Sequence, residues 1–248
     1  MLAAIVLSAC SCDLSIFGKI ETGNGIRTET SYNLAWFDSI SSLGSMDIYY
    51  TQDPDAQSVV LTCDENLVEF YLIEVENGKL KVSVKPGVMT RPKTKTFLTV
   101  RSQALESVSI SGSGDCIING DLVVDRDFTF KLSGSGDLAS SGTIECKDFY
   151  SSVTGSGDID IHGLIARDAK FTISGSGDVE VDYIKAEYIS LKISGSGNGE
   201  LVCDNAGDIE VTITGSGNVN LSGSARSLDS KITGSGRVNQ KGLSLGRQ

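Results

Sequence analysis

Apolar and polar residues alternate strictly in the second half of the chain. Within residues 171–181, Phe171, Ile173, Val179 and Val181 share one parity with two glycines, and hydroxyl or acidic residues take the other. Successive side chains of a strand point to opposite sides, so this period of two predicts strands with one buried face rather than helices.

The alternation carries a short phrase that recurs seven times. The first glycines of successive copies are 22, 21, 20, 20, 20 and 19 residues apart. A repeat of about 20 residues is typical of a solenoid. The copies are ISGSGD (110–115), LSGSGD (132–137), VTGSGD (153–158), ISGSGD (173–178), ISGSGN (193–198), ITGSGN (213–218) and ITGSGR (232–237).

Strands repeated at this period predict an all-β fold, a right-handed parallel β-helix of about seven coils. About 20 residues at about 3.3 Å each trace a closed loop of two or three short strands, and loops stacked roughly 4.8 Å apart pair in parallel. Equivalent residues then form rows along the solenoid. Two rows are almost entirely aliphatic, as a buried ladder requires: Ile110, Leu132, Val153, Ile173, Ile193, Ile213 and Ile232, and Cys116, Leu138, Ile159, Val179, Gly199, Val219 and Val238.

The outer parity predicts a long polar face. Two rows of Ser and Thr run beside a row of acids and amides, Asp115, Asp137, Asp158, Asp178, Asn198 and Asn218, which ends at Arg237. These side chains are either turn residues that bond to the nearby backbone or ligands for Ca²⁺, which prefers oxygen. Each copy offers one acid only, which favours the interpretation as turn residues. Because they lie on the polar face, the same six residues are also the candidate binding site.

The N-terminus is typical of a lipid-anchored protein. Residues 1–9 are an apolar run that ends in small residues before Cys10, which predicts a cleaved signal and a lipidated thiol. No Lys or Arg precedes the run, so a short uncleaved apolar tail or a buried strand is the alternative. Residues 10–33 read as a polar tether.

Residues 34–107 predict an irregular β region that caps one end of the solenoid formed by residues 108–248. Residues 37–50 resemble a worn copy of the repeat with one extra residue, and Asp64 begins a helix of about two turns. Asn77-Gly78 between alternating segments predicts a hairpin. Solenoid ends expose unpaired strand edges, which such a region would cover.

Composition and a few isolated residues limit the partners and the kinds of site that the chain can have. A net charge of −11 argues against nucleic acid as a partner. His162 is the single histidine and has no partner for a triad or a zinc site, so we expect a surface residue. Six cysteines are present, and with Cys10 lipidated the remaining five predict free buried thiols. We expect no catalytic residue, metal or cofactor.

The repeated phrase, the lipobox-like segment Leu7-Ser8-Ala9-Cys10 and the segment Asp64-Glu65-Asn66-Leu67 together resemble the family described as putative auto-transporter adhesin, head GIN domain. The resemblance covers roughly residues 36–238 and also includes Phe37, Ile40 and the Asn77-Gly78 turn. It implies a β-helical cell-surface adhesin in bacteria and brings no catalytic residues.

Two classes of function follow. The first is a non-enzymatic outer-membrane lipoprotein, on the surface or periplasmic side, whose polar face binds a glycan or another envelope protein. The second is a polysaccharide-processing β-helix enzyme, a lyase or hydrolase, in which Asp137, Asp158 and Asp178 would lie in a groove beside basic residues. A purely structural envelope protein is a further alternative.

Overall fold

The computed structural model describes residues 18–246 and confirms the parallel β-helix, with about seven turns. Long strands that bend at corners make up the regular coils, and each pairs in parallel with the next. The regular coils comprise β10 (Ser107–Gly112), β11 (Cys116–Ile118), β12 (Leu122–Val123), β13 (Phe128–Gly134), β14 (Leu138–Glu145), β15 (Asp148–Gly155), β16 (Ile159–Gly175), β17 (Val179–Gly195), β18 (Gly199–Gly215), β19 (Asn218–Gly234) and β20 (Arg237–Leu245).

Shifts in the burial pattern mark the corners of one coil. In β16 the buried residues are Ile159 and Ile161, then Leu164 and Ala166, and then the odd-numbered residues from 169 to 173. The parity changes twice, and each change turns the chain so that the next inward side chain again faces the core. The turn at residues 175–178 makes the third corner, so each coil has three faces.

The two glycines of each phrase are required by the stacking of the turns. Gly175 has φ +143°, and a Cβ built there would lie 1.9 Å from the carbonyl oxygen of Gly155 in the preceding coil. A Cβ on Gly177 would lie 2.0 Å from the carbonyl oxygen of Gly157. A turn can stack this closely on the preceding coil only where it carries no side chain of its own at these two positions.

The core rows run in the predicted register. Ile110 pairs with Leu132, which pairs with Val153, and the row continues to Ile232, where the side chain becomes exposed. Aromatic rings stack inside the core: the ring centroids of Phe128 and Phe149 are 5.9 Å apart. A stacked aliphatic and aromatic interior of this kind is the main source of stability for the solenoid.

The N-terminal part caps one end with antiparallel strands. It contains β1 (Lys19–Thr22), β2 (Arg27–Tyr32), β3 (Ser39–Gly44), β4 (Asp47–Gln52), β5 (Ser58–Asp64), β6 (Tyr71–Glu76), β7 (Lys79–Val84), β8 (Val88–Arg91), β9 (Phe97–Ser102) and a 3₁₀ helix (Glu65–Phe70). β3 and β4 stack on β10 and β11, so residues 39–52 form an earlier coil. β7 pairs in parallel with β3, and β9 pairs in parallel with β4, so these two strands add a further layer. Antiparallel pairs follow: β6 with β7, β5 with β9, and β2 with β5.

Register corrects one detail of the sequence interpretation. Gly44 pairs with Gly112, and Ile48 pairs with Cys116. The turn of the first coil therefore has the same length as the later turns, and the predicted extra residue is absent. Met46 simply replaces the second glycine. The predicted hairpin is present between β6 and β7, with φ +53° at Asn77 and +74° at Gly78, as a tight turn of this type needs.

Contrary to the prediction from the sequence, the Asp64 side chain does not cap a helix; it binds backbone N–H groups of other segments. Its side chain makes no capping hydrogen bond, and the short helix is of the 3₁₀ type. Instead its carboxylate accepts hydrogen bonds from the backbone N–H groups of Gly25 (2.6 Å), Lys93 (2.8 Å) and Thr94 (3.0 Å). Burial alone would raise the pKa of Asp64, but the N–H groups of Thr94, Lys93 and Gly25 outweigh it and lower that pKa.

Candidate functional site

The six predicted binding residues form one continuous row, which we call the turn ladder: Asp115, Asp137, Asp158, Asp178, Asn198 and Asn218. From Asp115 to Asn198, one side-chain oxygen of each member accepts a hydrogen bond from the backbone N–H of the next residue in the row, at 2.8 Å from Asp158 N to Asp137 Oδ1 and 2.7 Å from Asp178 N to Asp158 Oδ1. The same bonding continues through Asn198 and Asn218, and it starts from Asp47 in the first coil. The ladder therefore ties successive coils together.

This geometry refines the turn interpretation. The predicted bond was to the turn's own backbone, whereas the observed acceptor serves the following coil, because parallel stacking places the next amide above each carboxylate. In each member from Asp115 to Asn198, one side-chain oxygen is occupied by this bond. Within residues 18–246, no three His, Cys, Asp or Glu side chains are grouped so that they could hold a metal ion.

Beside the turn ladder, the two outer rows of hydroxyl residues form what we call the hydroxyl face. Its members are exposed in every regular coil. The backbone at this face is fixed by bonds between coils, such as Ser176 N to Gly155 O at 3.0 Å. The rows are Ser111, Ser133, Thr154, Ser174, Ser194, Thr214 and Thr233, and Ser113, Ser135, Ser156, Ser176, Ser196, Ser216 and Ser235.

A second cluster interrupts the regular rows at another corner, and the sequence interpretation missed it. The Arg167 guanidinium lies 2.5 Å from Asp148 and 3.6 Å from Asp168. Lys170 bonds to Asp168 at 2.9 Å, and its Nζ lies 5.3 Å from the ring centroid of Tyr150. The residues of this corner cluster are Asp148, Tyr150, Arg167, Asp168, Lys170, Tyr188 and Glu210.

The corner cluster is held together by charge pairing. Asp148 is only 3% exposed, and the adjacent carboxylate, with hydrogen bonding to it, raises the pKa of Arg167. The hydrogen bond to Asp168 raises the pKa of Lys170 in the same way. Tyr188 donates to Glu210 at 2.5 Å, which raises the pKa of its phenol. Each carboxylate of the cluster is bonded to a cation or a phenol. The cluster therefore holds its side chains in place, and none of its carboxylates is left unengaged to act as a general acid or base.

Two concave surfaces flank the corner cluster. A groove of about 720 Å³ runs along the solenoid over a floor of Cys146, Ala166, Ala186 and Ala206, with Lys147, Arg167, Lys185 and Arg226 among its walls. A smaller depression of about 260 Å³ lies on the other side, next to Tyr150 and Lys170.

The remaining predicted residues have ordinary surroundings. His162 is exposed on β16, with Nδ1 3.2 Å from Asp182 Oδ2, so the surface interpretation is confirmed. Cys63, Cys116, Cys146 and Cys203 are free and buried, as predicted, and burial raises the pKa of the Cys116 thiol to about 12. Cys10, the signal segment and Cys12, the fifth of the thiols predicted to be free, lie outside the described residues. In the part of the chain that is described, no helix is long and apolar enough to cross a membrane.

Fold and surface together define a class: a capped parallel β-helix with a regular polar face. The chain belongs to the family described as putative auto-transporter adhesin, head GIN domain, whose profile matches residues 36–197 and 181–247. The resemblance drawn from the repeated phrase is thereby confirmed.

Solved structures of similar fold come from Bacteroides fragilis and Parabacteroides distasonis. A putative adhesin from Bacteroides fragilis has a TM-score of 0.77 and 22% identity, covering 88% of this chain and 99% of its own. A putative adhesin from Parabacteroides distasonis gives 0.73 and 21%, covering 89% and 99%. A putative lipid binding protein from the same species gives 0.65 and 24%, also covering 89% and 99%. At these identities the likeness establishes the fold. No curated protein matches the chain.

Proposed function

We propose that this protein is a non-enzymatic binding protein of the bacterial cell envelope, an adhesin that presents its hydroxyl face to a glycan or to another envelope protein. The observation that carries the proposal is the hydroxyl face itself. Its exposed side chains repeat coil after coil on a backbone that bonds between coils hold in place. A preformed surface of this kind binds without the entropic cost of ordering its contacts.

The family description and the adhesin names of two similar structures support the same function. The net charge of −11 argues against nucleic acid as the partner. We further propose that acyl chains on Cys10 attach the protein to the outer membrane, on either its surface or its periplasmic side.

The arrangement of the carboxylates favours binding over catalysis. Asp137, Asp158 and Asp178 would have to be the acids of a polysaccharide-processing enzyme, yet no described Arg or Lys forms an ion pair with them. One oxygen of each also accepts a backbone hydrogen bond. The corner cluster has paired acids with basic residues, but Arg167 and Lys170 are each engaged by a carboxylate, and Glu210 is bonded to the Tyr188 phenol.

The test is binding by the full chain carrying Cys10→Ser, which cannot be acylated, to a glycan array and to proteins extracted from the envelope. Introducing glutamate at Thr154, Ser174 and Ser194 together should abolish binding, because three bulky negative charges then stand on the hydroxyl face. Lys185→Glu changes charge on a different face and serves as the control. Retention of neither glycan nor envelope protein, or turnover of an acidic polysaccharide, would contradict the proposal.

A further inference from the structure

The depression beside the corner cluster differs in composition from the rest of this acidic molecule. It is lined by Thr129, Phe130, Lys131, Tyr150, Ser151, Ser152, Lys170 and Thr172. Its two charged residues are both lysines, and four of its members are short hydroxyl residues. It therefore combines cations, hydroxyl groups and two aromatic residues within about 260 Å³; Phe130 is buried in the core, and Tyr150 is partly exposed.

A break in the repeat creates the depression. Tyr150 and Lys170 are neighbours in one outer row, where the flanking coils carry Thr129 and Ser190. In the adjacent outer row, Lys131 is followed by the short side chains of Ser152 and Thr172. Long side chains thus stand on two sides of short ones, and space remains between them.

One wall of the depression is held in place before any ligand arrives. Asp168 bonds to Lys170 at 2.9 Å, and Lys170 Nζ lies 5.3 Å from the Tyr150 ring centroid and 5.8 Å from that of Tyr188. The bond to Asp168 raises the pKa of Lys170, so the ammonium stays protonated at neutral pH. Lys131, in contrast, makes no ion pair or side-chain hydrogen bond with any described residue, and its ammonium is free to bind a ligand.

Local charge decides what kind of ligand fits. The molecule carries a net charge of −11, but at physiological ionic strength charges more than about 8 Å apart in solvent are largely screened. Lys170 is paired with Asp168 at 2.9 Å, so Lys131 contributes the uncompensated positive charge inside the depression, and the Lys170 ammonium has further N–H donors for a ligand. Ammonium groups bind carboxylates through short charge-assisted hydrogen bonds, and hydroxyl side chains exchange hydrogen bonds with the hydroxyls of a sugar.

We propose that this depression is a subsite for a carboxylate-bearing saccharide unit, with Lys131 and Lys170 binding the carboxylate, Thr129, Ser152 and Thr172 the sugar hydroxyls, and Tyr150 packing against the ring. The proposal rests on the proposed glycan-binding function and specifies its ligand class as an acidic glycan.

The experiment titrates the full chain carrying Cys10→Ser with a linear trisaccharide of galacturonic acid and with its neutral galactose counterpart, by calorimetry. Lys131→Gln should weaken binding of the acidic trisaccharide about tenfold, because it removes one charge-assisted bond, and should leave any binding of the neutral one unchanged. Tyr150→Leu should weaken both. Lys192→Gln is the matched control, since Lys192 occupies the same outer row as Lys131 but lies outside the depression.

Thermal melting of each variant confirms that it is folded. Equal affinity of the wild-type chain for the two trisaccharides would overturn the proposal, and so would wild-type affinity in both Lys131→Gln and Tyr150→Leu. If the chain binds other glycans or envelope proteins through the hydroxyl face but not the acidic trisaccharide, this inference fails and the proposed function stands. If it binds no saccharide and no envelope protein, both fail.

Discussion

Replacing a single turn glycine by alanine tests how tightly the coils are stacked. At Gly175, the new Cβ would lie 1.9 Å from the carbonyl oxygen of Gly155, and φ is +143°. At Gly44, in the first coil, φ is +120° but nothing lies within 4 Å of the corresponding position. Gly44→Ala is therefore a matched control that carries the backbone strain without the clash.

The structure provides the magnitudes. Both variants incur about 1–3 kcal/mol for a non-glycine residue at an unfavourable φ. In Gly175→Ala the coils must also separate by more than about 1 Å to reach an ordinary contact distance, which breaks the bond from Ser176 N to Gly155 O. A lost hydrogen bond and local overpacking together add about 2–4 kcal/mol. We expect Gly175→Ala to be destabilised by that much more than Gly44→Ala.

Guanidinium unfolding followed by two probes makes the measurement. Far-UV circular dichroism reports on the strands, and the fluorescence of Trp36, the single tryptophan, reports on the N-terminal cap. Neighbouring coils stabilise one another, so a defect in the middle of the solenoid should weaken the coils around it before the cap. In Gly175→Ala the dichroism transition should precede the fluorescence transition. Equal loss of stability in the two variants would refute the close stacking of the turns.

Three further outcomes follow from the structure. Asp64→Asn should cost about 1–3 kcal/mol, because an amide cannot accept all three backbone hydrogen bonds. The lowered pKa of Asp64 means that its contribution is present above the unfolded-state pKa of about 3.9 and is lost as pH falls through the lower folded pKa, so acid melting curves of this variant should be flatter than those of the wild type. Asp178→Ala removes the acceptor for the amide of Asn198 at an exposed position and should cost about 1 kcal/mol or less of folding stability. Its melting temperature should not respond to Ca²⁺. A calcium-dependent rise in the melting temperature of the wild type would instead support a cation site on the turn ladder. Finally, Cys63, Cys116, Cys146 and Cys203 should resist a thiol reagent until the chain is unfolded, since each is buried and has a raised pKa, and rapid labelling of the native protein would contradict this.

The regular part of the fold was predictable because an in-register parallel stack repeats one set of local rules. Every coil must place aliphatic residues inward and glycine in its turn, so the rows from Ile110 to Ile232 could be written from spacing alone. The first coil was harder to define, since Met46 replaces a glycine there and only pairing of Gly44 with Gly112 establishes its register. The antiparallel cap depended on contacts between segments far apart in sequence, and only its hairpin had a local signal.

The candidate sites divide in the same way. The sequence by itself determined that the turn ladder and the hydroxyl face exist, because identical positions in successive coils must align. Only the tertiary structure decided that the ladder side chains from Asp115 to Asn198 accept hydrogen bonds from the next coil, and that Asp148, Tyr150, Arg167 and Lys170 meet at one corner. Tyr150 and Lys170 occupy the same position in the repeat, so spacing counted from the glycine turn places them in one row. Asp148 and Arg167 occupy different positions, so that spacing does not bring them together. Side chains that reach across rows are set by packing in three dimensions, which a one-dimensional period does not contain.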